Sequence, residues 1–77
     1  MKFEHADRYV EMGLKIAYYR KLKGYTQEQL AEKVNMNTSY LGQIEAPNIV
    51  RAVSMDVLFD IADALEIPPH KLIMFEE

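Results

Sequence analysis

The chain has 77 residues, no cysteine, and nine Lys/Arg against twelve Asp/Glu, giving a net charge of −3. That length supports one small core, and the missing cysteine excludes disulfide staples and thiolate metal sites. No apolar run approaches the roughly 20 residues that span a bilayer, and the start MKFEHADRYVEM is broken by charges, so a soluble, cytoplasmic protein without a signal peptide is expected.

From about Glu4 to Leu22, the residues Val10, Leu14, Ile16, Ala17, Tyr19 and Leu22 recur mostly at three- and four-residue spacing, which predicts a first helix with these side chains on its buried face. Gly24 ends it, with Lys21 and Lys23 in the last turn, where cations favour the helix dipole. Thr26 then offers an N-cap hydroxyl, and Gln29 completes a capping-box pattern ahead of Leu30, Ala31 and Val34. A short second helix is expected over 27–34. In the NMN that follows, Asn35 suits the left-handed conformation that stops a helix, Met36 points inward, and Asn37 suits the next N-cap. A third helix over 38–45 buries Leu41 and Ile44 and leaves Thr38, Ser39, Gly42 and Gln43 outside. Two helices joined so briefly must meet at a steep angle, as in a helix-turn-helix.

Pro47 and Asn48 favour a turn, and Ser54 caps a fourth helix with a buried stripe of Val57, Leu58, Ile61, Ala62 and Leu65, ended by 66–69. A last short helix begins near Pro68 or Pro69 and runs through HKLIMF. Nothing alternates as a strand would. The expectation is an all-α, compact five-helix bundle forming a single domain over 1–77, with 1–9 as an N-terminal extension or the start of helix one.

Charge is unevenly spread. Residues 1–51 carry eight Lys/Arg and six Asp/Glu, net +2, whereas residues 52–77 carry Lys71 against six acids, net −5. The stripe Asp56, Asp60, Asp63 reads as a solvated face placed away from any polyanion.

The run GYTQEQLAEKV, followed by a turn and SYLGQIE, and then LFDIADALEI, resembles the phage-repressor and Cro-like (Xre-type) helix-turn-helix domains, over about Leu14 to Leu72. The resemblance implies a lambda-repressor-like fold and a sequence-specific regulator of transcription, bacterial or phage, binding double-stranded DNA as a homodimer on a palindromic operator. The small controllers of restriction–modification systems and repressors are the models for it. In such domains the second helix of the motif enters the major groove while the first crosses the backbone with its N-terminus toward a phosphate.

On that reading Thr38, Ser39 and Gln43 are the candidate base contacts, since Gln can pair bidentately with adenine and Ser or Thr can meet several bases. A merely solvated polar face is the alternative. Gln27 is the main candidate phosphate contact, with Thr26, Asn37, Tyr40 and Arg51 beside it; Gln27 could instead only cap, Tyr40 only pack, and Arg51 only solubilise. Gly42 costs roughly 1 kcal/mol relative to alanine in mid-helix, explained either by close approach to the duplex or by drift. The family pairs an arginine of helix one with the glutamate ending the recognition helix, here Arg20 and Glu45. Where members usually carry a glycine after that glutamate and a Pro-Ser pair before helix four, this chain has Ala46-Pro47 and NIVRAVS. The apolar end LIMF exceeds what one short helix buries, making Ile73 and Phe75 candidates for a dimer contact, with closure of the monomer's own core as the alternative.

An enzyme is not expected: there is no phosphate-cradling glycine loop, and His5 and His70 stand in separate end segments. No cofactor, metal, membrane or small-molecule ligand is expected either. The competing reading is a protein-interaction module of the same fold, of antitoxin or accessory type, favoured by the acidic total and by a third helix without Lys or Arg.

Overall fold

A computed structural model describes residues 4–74. Four α-helices follow in order, α1 (Ala6–Lys23), α2 (Gln27–Lys33), α3 (Thr38–Glu45) and α4 (Met55–Leu65), then a single 3-10 turn at Pro69–Leu72. The expected fifth helix is therefore one turn long. Pro68 and Pro69 set its start, and Ile73 has already left helical geometry, with ψ near 16°. No strand occurs among the described residues, and no helix there is long and apolar enough to cross a membrane.

Each boundary has a local cause. Gly24 ends α1 at φ +85°, its N–H bonding to the carbonyls of Arg20 and Lys21. Thr26 and Gln29 form the full capping box of α2. Asn35 takes φ +54°, which asparagine tolerates, and turns the chain toward Asn37, the cap of α3. Ser54 accepts from Val57 N–H and opens α4, which Glu66 closes at φ +58°.

The core gathers Ile16 of α1, Leu30 and Ala31 of α2, Leu41 and Ile44 of α3, Leu58, Ile61, Ala62 and Leu65 of α4, and Leu72 of the 3-10 turn. Helix α1 lies across α3 and α4, α2 packs on α3 and α4, and the 3-10 turn closes over α1 and α4. The buried line of α1 differs from the expected one: Leu14 and Leu22 are 46% and 66% exposed, while Gly13, Ile16 and Arg20 point inward. Two of the three inward residues are not apolar, so a search for hydrophobic spacing passes over them. A bond from Lys23 Nζ to Glu66 joins the ends of α1 and α4 at the surface. It holds the Glu66 carboxyl below its ordinary range, so its small, solvent-screened stabilisation is present above that range and lost as pH falls through the lowered value.

Candidate nucleic-acid interface

The interface is built on α2, its turn and α3. The Asn37 Oδ1 accepts the N–H groups of Ser39 at 2.8 Å and Tyr40 at 3.4 Å, so the start of α3 is closed by one short side chain. Leu41 and Ile44 fix the inner face of α3 in the core, which turns Thr38, Ser39 and Gln43 outward, all three exposed. The result is an uncharged polar face of two hydroxyls and one amide. Thr26 stands exposed at the start of α2, its oxygen accepting from Gln29 N–H while its hydroxyl hydrogen is left over.

Behind this face lies a buried polar knot. Arg20 Nε and Nη2 each donate to the Glu45 carboxylate at 2.9 Å, a bidentate pair, and Arg20 Nη1 donates to the carbonyl of Tyr25 at 2.8 Å. Gln27 Nε2 donates to the same carboxylate at 2.9 Å. One carboxylate thus ties the end of α1, the start of α2 and the end of α3 together, and no buried side-chain polar atom among the described residues lacks a partner. An amide nitrogen has two hydrogens, so Gln27 keeps a second donor at the start of α2.

Gly13 explains how α1 comes so near. A Cβ built there would stand 1.8 Å from the carbonyl oxygen of Ile44, so only glycine permits this crossing of α1 over α3. Gly42 is different: a Cβ there would meet only Gln27 Oε1, at 3.5 Å, an ordinary contact. Nothing among the described residues therefore demands a glycine at 42.

Tyr40 is engaged within the chain, as the packing alternative has it. Its hydroxyl donates to the carbonyl of Ala52 at 3.3 Å, and a hydroxyl has one hydrogen to give. The guanidinium carbon of Arg51 lies over its ring, 4.9 Å from the centroid. Asp60 of α4 lines a surface depression with Asn37 and Tyr40, so the acidic face runs closer to this flank of α3 than its charge alone suggested. Ile73 is 41% exposed, and Phe75 lies outside the described residues.

The helix-turn-helix family model matches residues 16–72. The chain is 43% identical over 60 residues to the uncharacterized HTH-type transcriptional regulator YazB of Bacillus subtilis, covering 78% of this chain and 84% of YazB. It is 37% identical over 62 residues to the HTH-type transcriptional regulator SinR of the same species, spanning 80% of this chain but only 55% of SinR. Among solved structures it superposes on the restriction-modification controller protein C.AhdI of Aeromonas hydrophila with a TM-score of 0.82 at 33% identity, covering 90% of this chain and 97% of the other. On SinR in complex with DNA the TM-score is 0.76 at 36% identity, covering 82% and 98% of the two chains. SinR has also been solved in complex with the SinI protein.

Proposed function

The chain belongs to the helix-turn-helix family, and from that premise we propose that it is a sequence-specific double-stranded-DNA-binding regulator of transcription, working in the cytoplasm with all of 1–77 as one domain. The carrying observation is the exposed, uncharged face of Thr38, Ser39 and Gln43 on a helix whose inner side is locked by Leu41, Ile44 and Glu45. Short hydroxyls near a helix start and one amide a turn later are suited to base edges in a major groove, and Gln27 beside them to a phosphate. SinR, a relative with this fold, has been solved with DNA.

Selection from a random duplex library at about 100 mM salt, followed by salt titration of the winning site, tests the proposal, because affinity without a stated salt concentration has no meaning here. A palindrome with half-sites about 10 base pairs apart is the expected product of a dimer. Gln43→Ala is expected to relax base preference at one position, at a loss of about 1–3 kcal/mol, whereas Gln27→Ala weakens binding alike on all sequences. A uniform loss from Gln43→Ala would show that the reading face lies elsewhere.

Dimerisation supplies what one domain whose reading helix carries no Lys or Arg lacks in affinity, and the surface beyond the 3-10 turn, where Ile73 and Met74 are exposed, is the proposed contact. Ile73→Asp is expected to reduce the sedimentation mass to that of a monomer with the helical signal intact, since the side chain is already at the surface. An unchanged dimer mass would move the interface away from this end.

The protein-interaction reading rests on the exposed acids of α4 and on the SinR–SinI complex. Failure of the selection to enrich any sequence would favour it.

A further inference from the structure

The irregular segment between α3 and α4, residues 46–54, contains Arg51 as its only cation. A lone arginine on an exposed loop would lose much rotamer freedom on meeting a phosphate. Here it has a partner. Its guanidinium lies over the Tyr40 ring at 4.9 Å, and the Tyr40 hydroxyl holds the next residue's carbonyl, that of Ala52, at 3.3 Å. One side chain of α3 thus fixes both the arginine head and the main chain beside it. A guanidinium whose carbon lies over a ring still has N–H donors for a phosphate, because the ring accepts no conventional hydrogen bond from all five of them.

The position of this pair matters. Successive residues of a helix are turned by 100°, which puts Tyr40 on one flank of α3 and Gly42 with Glu45 on the other, Ser39 and Gln43 lying between. Gln27 stands on the Gly42–Glu45 flank, bonded to Glu45 and nearest to the open side of Gly42. A helix lying in a major groove about 12 Å wide has a phosphate strand on either side. On the Tyr40 flank the nearby acidic residue of α4, Asp60, would repel phosphate, and Arg51 is a cation there that opposes it.

We propose that Tyr40 is a positioning residue that holds Arg51 as a phosphate anchor on the flank of α3 opposite Gln27, so that α3 is braced against both walls of the groove. This inference rests on the DNA-binding reading above.

The test compares wild type, Arg51→Ala, Tyr40→Phe, Tyr40→Leu and the double variant Tyr40→Leu/Arg51→Ala on the selected duplex, plotting log affinity against log salt, with thermal melts confirming that each is folded. Arg51→Ala is expected to lower the slope by about 1 and to weaken binding on every sequence. Tyr40→Leu, which removes no charge, reproduces most of that loss of slope, Tyr40→Phe keeps the ring and most of the slope, and the double variant is no weaker than Arg51→Ala. Equal slopes for Tyr40→Leu and wild type, or fully additive losses in the double, overturn the proposal.

An NMR measurement on the free protein separates this from the underlying reading. The Arg51 side-chain protons should show an upfield ring-current shift that Tyr40→Leu abolishes and Tyr40→Phe preserves. Absence of that shift in wild type overturns the positioning role even if DNA binds, whereas the shift together with no salt-dependent binding of any duplex overturns the DNA-binding reading and the anchor with it.

Discussion

Gly13→Ala is expected to remove most of the domain's stability at 25 °C. The added methyl carbon would stand 1.8 Å from the carbonyl oxygen of Ile44 and 2.9 Å from its carbonyl carbon, both backbone atoms that no rotamer change can move aside. Helix α1 would have to retreat from α3, and with it Arg20, whose bidentate pair to Glu45 spans the same two helices. Overpacking in a core costs about 1–3 kcal/mol and more where the backbone itself is struck; alanine's better helix propensity returns at most roughly 1 kcal/mol. A core of this size leaves only about 3–5 kcal/mol in total. A net loss near 3 kcal/mol, read from urea and thermal unfolding by circular dichroism, therefore exhausts most of it. Gly42→Ala is the matched control, because its methyl group meets nothing nearer than a side-chain oxygen at 3.5 Å, and it is expected to raise stability by about 0.5–1 kcal/mol. If the two substitutions moved the midpoint alike, α1 would not cross α3 where the structure places it.

The contrast between these glycines shows where the sequence was legible. Caps and stops carry their chemistry in one or two residues, so Thr26 with Gln29, Asn35, Asn37 and Ser54 could be assigned from side-chain type alone, and the starts of α2, α3 and α4 and the stop of α2 fall where those residues stand. The exposed polar face of α3 was legible for the same reason that its core was: Leu41 and Ile44 fix one side, and Thr38, Ser39 and Gln43 must take the other. The inward face of α1 was not. Hydrophobic spacing put Leu14 and Leu22 inside because it counts apolar side chains, whereas the position that decides the helix crossing has no side chain and the one that anchors it is charged. The same cost argument that singled out Gly42, a glycine inside a helix requiring a reason, applies with equal force to Gly13 and would have marked it. Two contacts lay beyond sequence reasoning altogether, since the placing of Arg51 over the Tyr40 ring and the bond from Gln27 to Glu45 depend on a loop path and a helix crossing that no local pattern encodes.

Breaking the Arg20–Glu45 pair has the second large effect, and the form of the break separates its structural and functional parts. Arg20 is 8% and Glu45 6% exposed, so removing either partner strands a charge out of water. Such a loss typically costs about 3–5 kcal/mol, enough to unfold a domain of this size, and both Arg20→Ala and Glu45→Ala are expected to do so. The double variant Arg20→Met/Glu45→Leu leaves no charge behind and is expected to restore cooperative unfolding near the wild-type midpoint, since a well-packed apolar pair often replaces a buried ion pair without loss. It does not restore everything the carboxylate does. Gln27 donates to the same Glu45 oxygen that receives Arg20 Nη2, and in the double variant its amide has no acceptor to hold it at the start of α2. A folded protein with reduced affinity on all duplexes, matching Gln27→Ala, is therefore the expected outcome. Full affinity in that variant would mean that Gln27 needs no support from behind and that the knot serves stability alone. A double variant as unstable as the single ones would mean instead that the hydrogen bonds to Tyr25 and Gln27, rather than charge pairing, hold α1, α2 and α3 in register.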